Sequence, residues 1–166
     1  MLDQKNNIIL IIIFFIILLS IISTLIIEHV LDHQPCGLCL YERIPYFLSA
    51  LLIIKIFFFK KYEKITLLIL FLVFMISALL AFYHFGIEQG FFDESFVCNV
   101  ESQLKILSKE NLLKELNKNI VSCKDVTFRI LGLSLAGMNT ILSVVLSIIF
   151  LKLFFNYGSS STSQYK

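Results

Sequence analysis

Apolar residues along this chain come in four long blocks separated by short polar connections and one long one. The first block runs from Ile8 to Ile27, interrupted only by Ser20, Ser23 and Thr24. A helix of that length matches the roughly 30 Å hydrocarbon core of a bilayer at about 1.5 Å per residue. A cleaved signal peptide is the competing reading. Its apolar run is shorter, about 7–15 residues, and ends in a small-residue site. Here the run ends in Ile26-Ile27-Glu28-His29, so a retained span is expected. The second block, Ile44 to Phe59, is short and contains Lys55; counted from Leu38 it is long enough but takes in Glu42 and Arg43. Those two are expected at one interface, with Lys55 snorkelling to the other. Pro45 lacks a backbone N–H and biases Ile44 away from helical geometry. The regular helix is therefore expected to begin near Pro45, or to follow a kinked turn over 36–43. The third block is Ile65 to Phe85, and the fourth lies within Ile130 to Phe155.

The pattern predicts an all-α membrane protein, a bundle of four transmembrane helices in one domain over 1–155. The expected spans are about 8–27, 40–59, 65–85 and 134–155, with loops over 28–39 and 86–130 and a flexible tail over 156–166. Lys and Arg in short loops set orientation. The connection Lys60-Lys61-Tyr62-Glu63-Lys64 carries three Lys, and Lys5, Lys152 and Lys166 lie at the same side. Both termini are then cytoplasmic, and the 1–2 loop and the long 3–4 loop face outward. Within the long loop, Val100, Leu104, Leu107, Leu113, Leu116 and Ile120 recur at helical spacing among Lys and Glu. This reads as one or two amphipathic helices resting on the membrane or the bundle.

Composition agrees with a membrane solvent: 58% of the 166 residues are hydrophobic and 16% charged, against about a quarter charged in soluble domains. A net charge of +2 with no basic stripe gives no reason to expect a nucleic-acid partner. Cysteine changes the picture most. The four are Cys36, Cys39, Cys98 and Cys123, and the topology puts all of them on or near the outer face. An even count there favours disulfides.

Pro35-Cys36-Gly37-Leu38-Cys39 is a C-x-x-C behind a proline. Proline suits a helix start, and a thiol at a helix N-terminus is driven toward thiolate. If the segment is helical, Cys36, Cys39 and Arg43 share a face. Arg43 would then stabilise a thiolate at Cys39 or an anionic reduced quinone beside it. Taken alone, a C-x-x-C is also a structural disulfide or half of a zinc site. Cys98 and Cys123 lack the short spacing of a second zinc half and suit a loop-closing disulfide. A relay by thiol–disulfide exchange accounts for one pair at the lipid interface and another in a polar loop. His29 and His33 read as interfacial polar residues rather than a metal pair. His84, at the outer end of the third span, is at the level of the C-x-x-C, suited to a proton relay or a quinone carbonyl.

Cys36-Gly37-Leu38-Cys39-Leu40-Tyr41-Glu42-Arg43, with Tyr83-His84-Phe85-Gly86-Ile87-Glu88 and Phe128 to Asn139, resembles the disulfide bond formation protein B (DsbB) family over residues 8–155. The resemblance implies a bacterial inner-membrane oxidoreductase with its Cys pairs on the periplasmic side. It implies that a DsbA-like thioredoxin-fold protein attacks the Cys98–Cys123 disulfide through Cys98, that Cys123 exchanges with Cys36, and that Cys39 faces a membrane quinone, ubiquinone or menaquinone. Arg43 and His84 are then cofactor-binding. Pro45 and the Lys- and Glu-rich second loop depart from some members and bear on the helix-2 start and the partner. Vitamin K epoxide reductase-like proteins carry their active C-x-x-C on the last span, whereas here it follows the first. A non-enzymatic membrane protein with bracing disulfides is the rival from another class.

Overall fold

In a computed structural model, residues 4–31, 35–59, 62–93, 98, 122–124, 129–130 and 132–162 are described. Four helices dominate: α1 (Gln4–His29), α2 (Gly37–Phe58), α3 (Glu63–Glu88) and α4 (Leu135–Thr162). Each carries a stretch long and apolar enough to cross a membrane. The fold is thus the expected all-α four-helix bundle. A two-stranded hairpin, β1 (Arg129–Ile130) and β2 (Leu133–Ser134), precedes α4 and was not legible in the sequence. Its turn uses Gly132 at φ +85°, a conformation that costs glycine little. His33 and the expected amphipathic stretch over 100–120 lie outside the described residues.

Each helix buries one stripe and exposes the other. Leu10, Ile13 and Ile17 of α1, Tyr46, Ala50, Ile53 and Ile56 of α2, Leu67, Leu70 and Phe74 of α3, and Leu146, Phe150 and Leu153 of α4 form one buried cluster. The three- and four-residue steps place these side chains on one face of each helix. Phe74 and Phe150 stack at 5.6 Å and carry the close α3–α4 contact, while Tyr46 meets Phe74 edge-on. The opposite faces expose large apolar residues such as Phe15, Leu19, Leu51, Ile76, Leu79 and Ile148. In water that surface would aggregate; in hydrocarbon it is solvated. Buried serines (Ser49, Ser77, Ser143) lie between the helices, as close packing in a membrane favours.

Two local features differ from expectation. Helix α2 is continuous from Gly37 with Pro45 inside it. Proline is tolerated within membrane helices because neighbouring groups and local adjustment re-satisfy the freed backbone; the carbonyl that loses its donor is that of Tyr41, and Ser49 Oγ separately donates to the Pro45 carbonyl at 2.6 Å. Helix α4 runs to Thr162, into the expected tail. Extending an existing helix costs far less than nucleating one.

Candidate active site

The C-terminal ends of α1 and α3 and the N-terminal ends of α2 and α4 share one end, where Arg43 meets Glu28, His84 meets Glu42, and Glu42 meets Asn139. Pro35 precedes α2, and Cys36 is its N-cap, with extended backbone (φ −71°, ψ 169°). The Cys36 sulfur accepts the Cys39 backbone N–H at 3.3 Å, doing what a serine or aspartate oxygen usually does at this position. Cys36 and Cys39 are free thiols with sulfurs 2.7 Å apart, so little movement separates this geometry from a disulfide. The hydrogen bond from Cys39 and, against burial, the His84 ring hold the Cys36 thiol below its ordinary range.

Behind Cys36 a buried polar chain crosses three helices. His84 of α3, 2% exposed, places Nε2 3.5 Å from Cys36 Sγ and Nδ1 2.7 Å from Glu42 Oε1. The other Glu42 oxygen accepts from Asn139 Nδ2 of α4 at 2.6 Å. Asn139 Oδ1 in turn accepts from Tyr46 OH, and Ser143 and Ser77 continue the chain toward the bundle centre. Every member finds a partner, which makes a polar network in an apolar interior tolerable.

Cys98 and Cys123 form a disulfide with Cα atoms 5.3 Å apart. Both sulfur-bearing residues are buried in one cluster with Cys36, Leu38 and Ile87, and Cys39, Leu80 and Tyr83 pack against it. The two cysteine pairs are thus brought together. Gly90 at φ +78° ends α3, and the Phe91 and Phe92 amides return to the Gly86 carbonyl at 2.8 and 3.3 Å. The Phe92 ring lies so close over Gly86 that a Cβ there would be 2.2 Å from it.

On the other side of the C-x-x-C is a cavity of about 450 Å³ between α1, α2 and α4. Cys39, Glu42, Arg43, Asn139 and Glu28 supply its polar wall; Leu19, Ile27, Leu135, Met138 and Leu142 supply much of the apolar one. Arg43 reaches across to an ion pair with Glu28 of α1. Cys39 lines this cavity; Cys36 and His84 do not. Arg43 is therefore in the place its spacing from Cys39 suggested, whereas His84 sits against Cys36.

Sequence reasoning gave no role to Glu42, Asn139, Tyr46 or Glu28. The only signals were an acid three residues past Cys39 and an amide near the start of an apolar helix. The Cys36 and Cys39 sulfurs and a His84 ring nitrogen all lie within 4.8 Å of one another.

A family model described as disulfide bond formation protein DsbB matches residues 6–153. An uncharacterised protein of Rickettsia prowazekii (strain Madrid E) is 29% identical over 146 residues, covering 86% of this chain and 83% of that protein. No solved structure matches. With the family match extending over all four spans and the C-x-x-C, the chain belongs to the DsbB family of membrane disulfide-forming oxidoreductases.

Proposed function

We propose that this protein is a thiol oxidase of the bacterial inner membrane. It reoxidises a periplasmic DsbA-like dithiol protein and delivers the electrons, through Cys98–Cys123 and then Cys36–Cys39, to a membrane quinone, ubiquinone or menaquinone. The observation that carries this reading is the division of the C-x-x-C between two environments. Cys36 is buried with the second disulfide, and Cys39 lines an apolar-walled cavity beside Arg43.

In this reading a thiolate of the partner bonds to Cys98 Sγ, and Cys123 leaves as a thiolate. Cys123 then bonds to Cys36 of the closed C-x-x-C, and Cys39 leaves carrying the electron pair. The partner's second thiolate then bonds to its first sulfur and Cys98 leaves, and Cys98 bonds to Cys123 as Cys36 leaves as a thiolate; each exchange breaks one S–S bond and makes another. Arg43 faces the cavity that Cys39 lines and offsets the negative charge there. The cavity suits a quinone in size and in having apolar walls with a few polar groups; Cys39, Arg43 and Asn139 would hold its head. Bound there, a quinone supplies the two-electron acceptor that lets the Cys36–Cys39 bond close again. With the cysteines on the periplasmic side, both termini lie in the cytoplasm, as the Lys-rich 2–3 connection favours.

The test is single-turnover oxidation of a reduced DsbA-like protein, with and without added quinone. Quinone-dependent turnover that vanishes in Cys39→Ala is the expected result. Absence of quinone reduction with both cysteine pairs stably oxidised would replace this reading with a membrane protein braced by disulfides.

A further inference from the structure

We infer that His84 is a catalytic base and acid for Cys36, held in the required tautomer by Glu42, so that the C-x-x-C is served by a buried Cys–His–Glu triad on the side away from the cavity. The inference rests on the proposed thiol chemistry but assigns His84 a task at the sulfur rather than at the electron acceptor.

The hydrogen-bond chain determines the tautomer. Asn139 turns its NH₂ toward Glu42 Oε2 and its carbonyl toward the Tyr46 hydroxyl. An amide donating to that carboxyl oxygen requires it to accept. A Glu42 carboxylate accepts at Oε1 as well, so His84 Nδ1 carries the hydrogen and donates it. Nε2 then bears its lone pair toward Cys36 Sγ at 3.5 Å. When Cys36 must act as a nucleophile, its S–H bond breaks and an Nε2–H bond forms, leaving thiolate and imidazolium with no change in electron count. When Cys36 is a leaving group, the imidazolium already present donates to the new thiolate, and the proton returns if the thiol is restored.

The surroundings favour the charged pair. Glu42 faces one ring nitrogen, and Glu88 Oε1 lies 3.8 Å from the other. Glu88 Oε2 is buried without a hydrogen-bond partner among the described residues, so this carboxyl has capacity to meet a proton on Nε2. Cys36 and Cys39 are the titratable groups at the N-terminal end of α2. Asn139 of α4 and Ser134 of β2 are neutral, and Glu28 of α1 and Arg43 of α2 are engaged with one another at the cavity. Cys36 also sits at the positive end of α2, which favours thiolate. Glu42 acts through His84 and is a positioning residue.

The experiment uses the full chain in detergent with Cys39→Ala, Cys98→Ser and Cys123→Ser, leaving Cys36 as the sole thiol. Its ionisation is followed by thiolate ultraviolet absorbance and by the pH dependence of alkylation with iodoacetamide. Adding His84→Gln, which keeps a polar side chain but cannot take the proton, should move the midpoint toward that of a free thiol, about 8.5. Thiolate at about pH 6.5 should fall by about tenfold for each unit that the midpoint rises. Glu42→Gln should shift the midpoint the same way and less, and it decides the question if His84→Gln does not fold. Titrations that superimpose on the parent overturn the inference. Quinone-dependent turnover of the unmodified protein is measured alongside. Absent turnover with a His84-dependent midpoint sinks the proposed function and leaves the triad standing; turnover with an unmoved midpoint does the reverse.

Discussion

Glu42 and Arg43 are neighbours in sequence and turn to different helices. Glu42 is 7% exposed and meets α3 and α4 through His84 and Asn139, while Arg43 meets Glu28 of α1 at the cavity. A hydrogen bond to a charged group is worth about 1.5–3 kcal/mol, or roughly tenfold to a hundredfold in affinity. Arg43→Ala should therefore raise the quinone KM by about tenfold or more while leaving exchange between the two cysteine pairs intact. Steady-state kinetics against quinone concentration, with a single-turnover exchange assay, separates the two. Glu28→Gln frees the guanidinium and should change KM less. At Cys36 the depressed ionisation has a definite sign. Thiolate is lost as pH falls through the lowered value; the Cys39 hydrogen bond is the larger cause of the lowering and His84 the next, so a His84 variant should lose part of the range between that value and about 8.5 over which the native protein keeps a reactive sulfur. The cysteines and Arg43 were legible because their chemistry is encoded by local spacing. Glu42, Asn139 and Tyr46 were not, because each looks interfacial or incidental until three helices bring them together. His84 was legible in level but not in facing: sequence places it near the C-x-x-C and cannot say which sulfur it meets.

At the scale of elements, the turn after α3 depends on two glycines in different ways. Gly90 adopts φ +78° with open space around it, so Gly90→Ala pays only the left-handed penalty, about 1–2 kcal/mol. Gly86→Ala instead drives a Cβ to 2.2 Å from the Phe92 ring, which also contacts Tyr83 at 5.5 Å. We expect Gly86→Ala to lower the melting temperature in detergent, with Phe92→Ala restoring most of the loss in the double variant. For Gly90→Ala no such partner rescue should exist. Block lengths made the four spans readable, because a bilayer fixes how long an apolar helix must be. The start of α2 was misread because Pro45 is a strong breaker in water and a weaker one where neighbouring helices supply partners. The hairpin before α4 has only two residues per strand, too short for any alternation to register.

Among the described residues the bundle has a polar network inside one end and an apolar layer beneath it, with Asn6, Glu63 and Thr66 buried at the other end. The chain from Cys36 through His84, Glu42, Asn139 and Tyr46 stops at Ser143 and Ser77. Beyond it the shared interior is filled by Phe74, Leu146, Phe150, Ile53, Ile17, Leu70 and Leu67, and none of these seven side chains can carry a proton. At the far end Lys55 lies against the Tyr62 ring and Lys64 against Phe154, so their charges are kept at the interface. That apolar plug gives protons no route from the Lys-bearing face to the cysteines. In the proposed reaction, protons and electrons would then enter and leave on the same side of the membrane, and no net charge would cross it. Turnover in proteoliposomes should consequently be indifferent to an imposed potential, with valinomycin and a potassium gradient altering the rate by less than about twofold, far below the effect of about 2.3 kcal/mol per charge per 100 mV. Disulfide formation by this protein would neither draw on the cell's ion-motive force nor add to it, and it would continue in a de-energised membrane for as long as oxidised quinone remained.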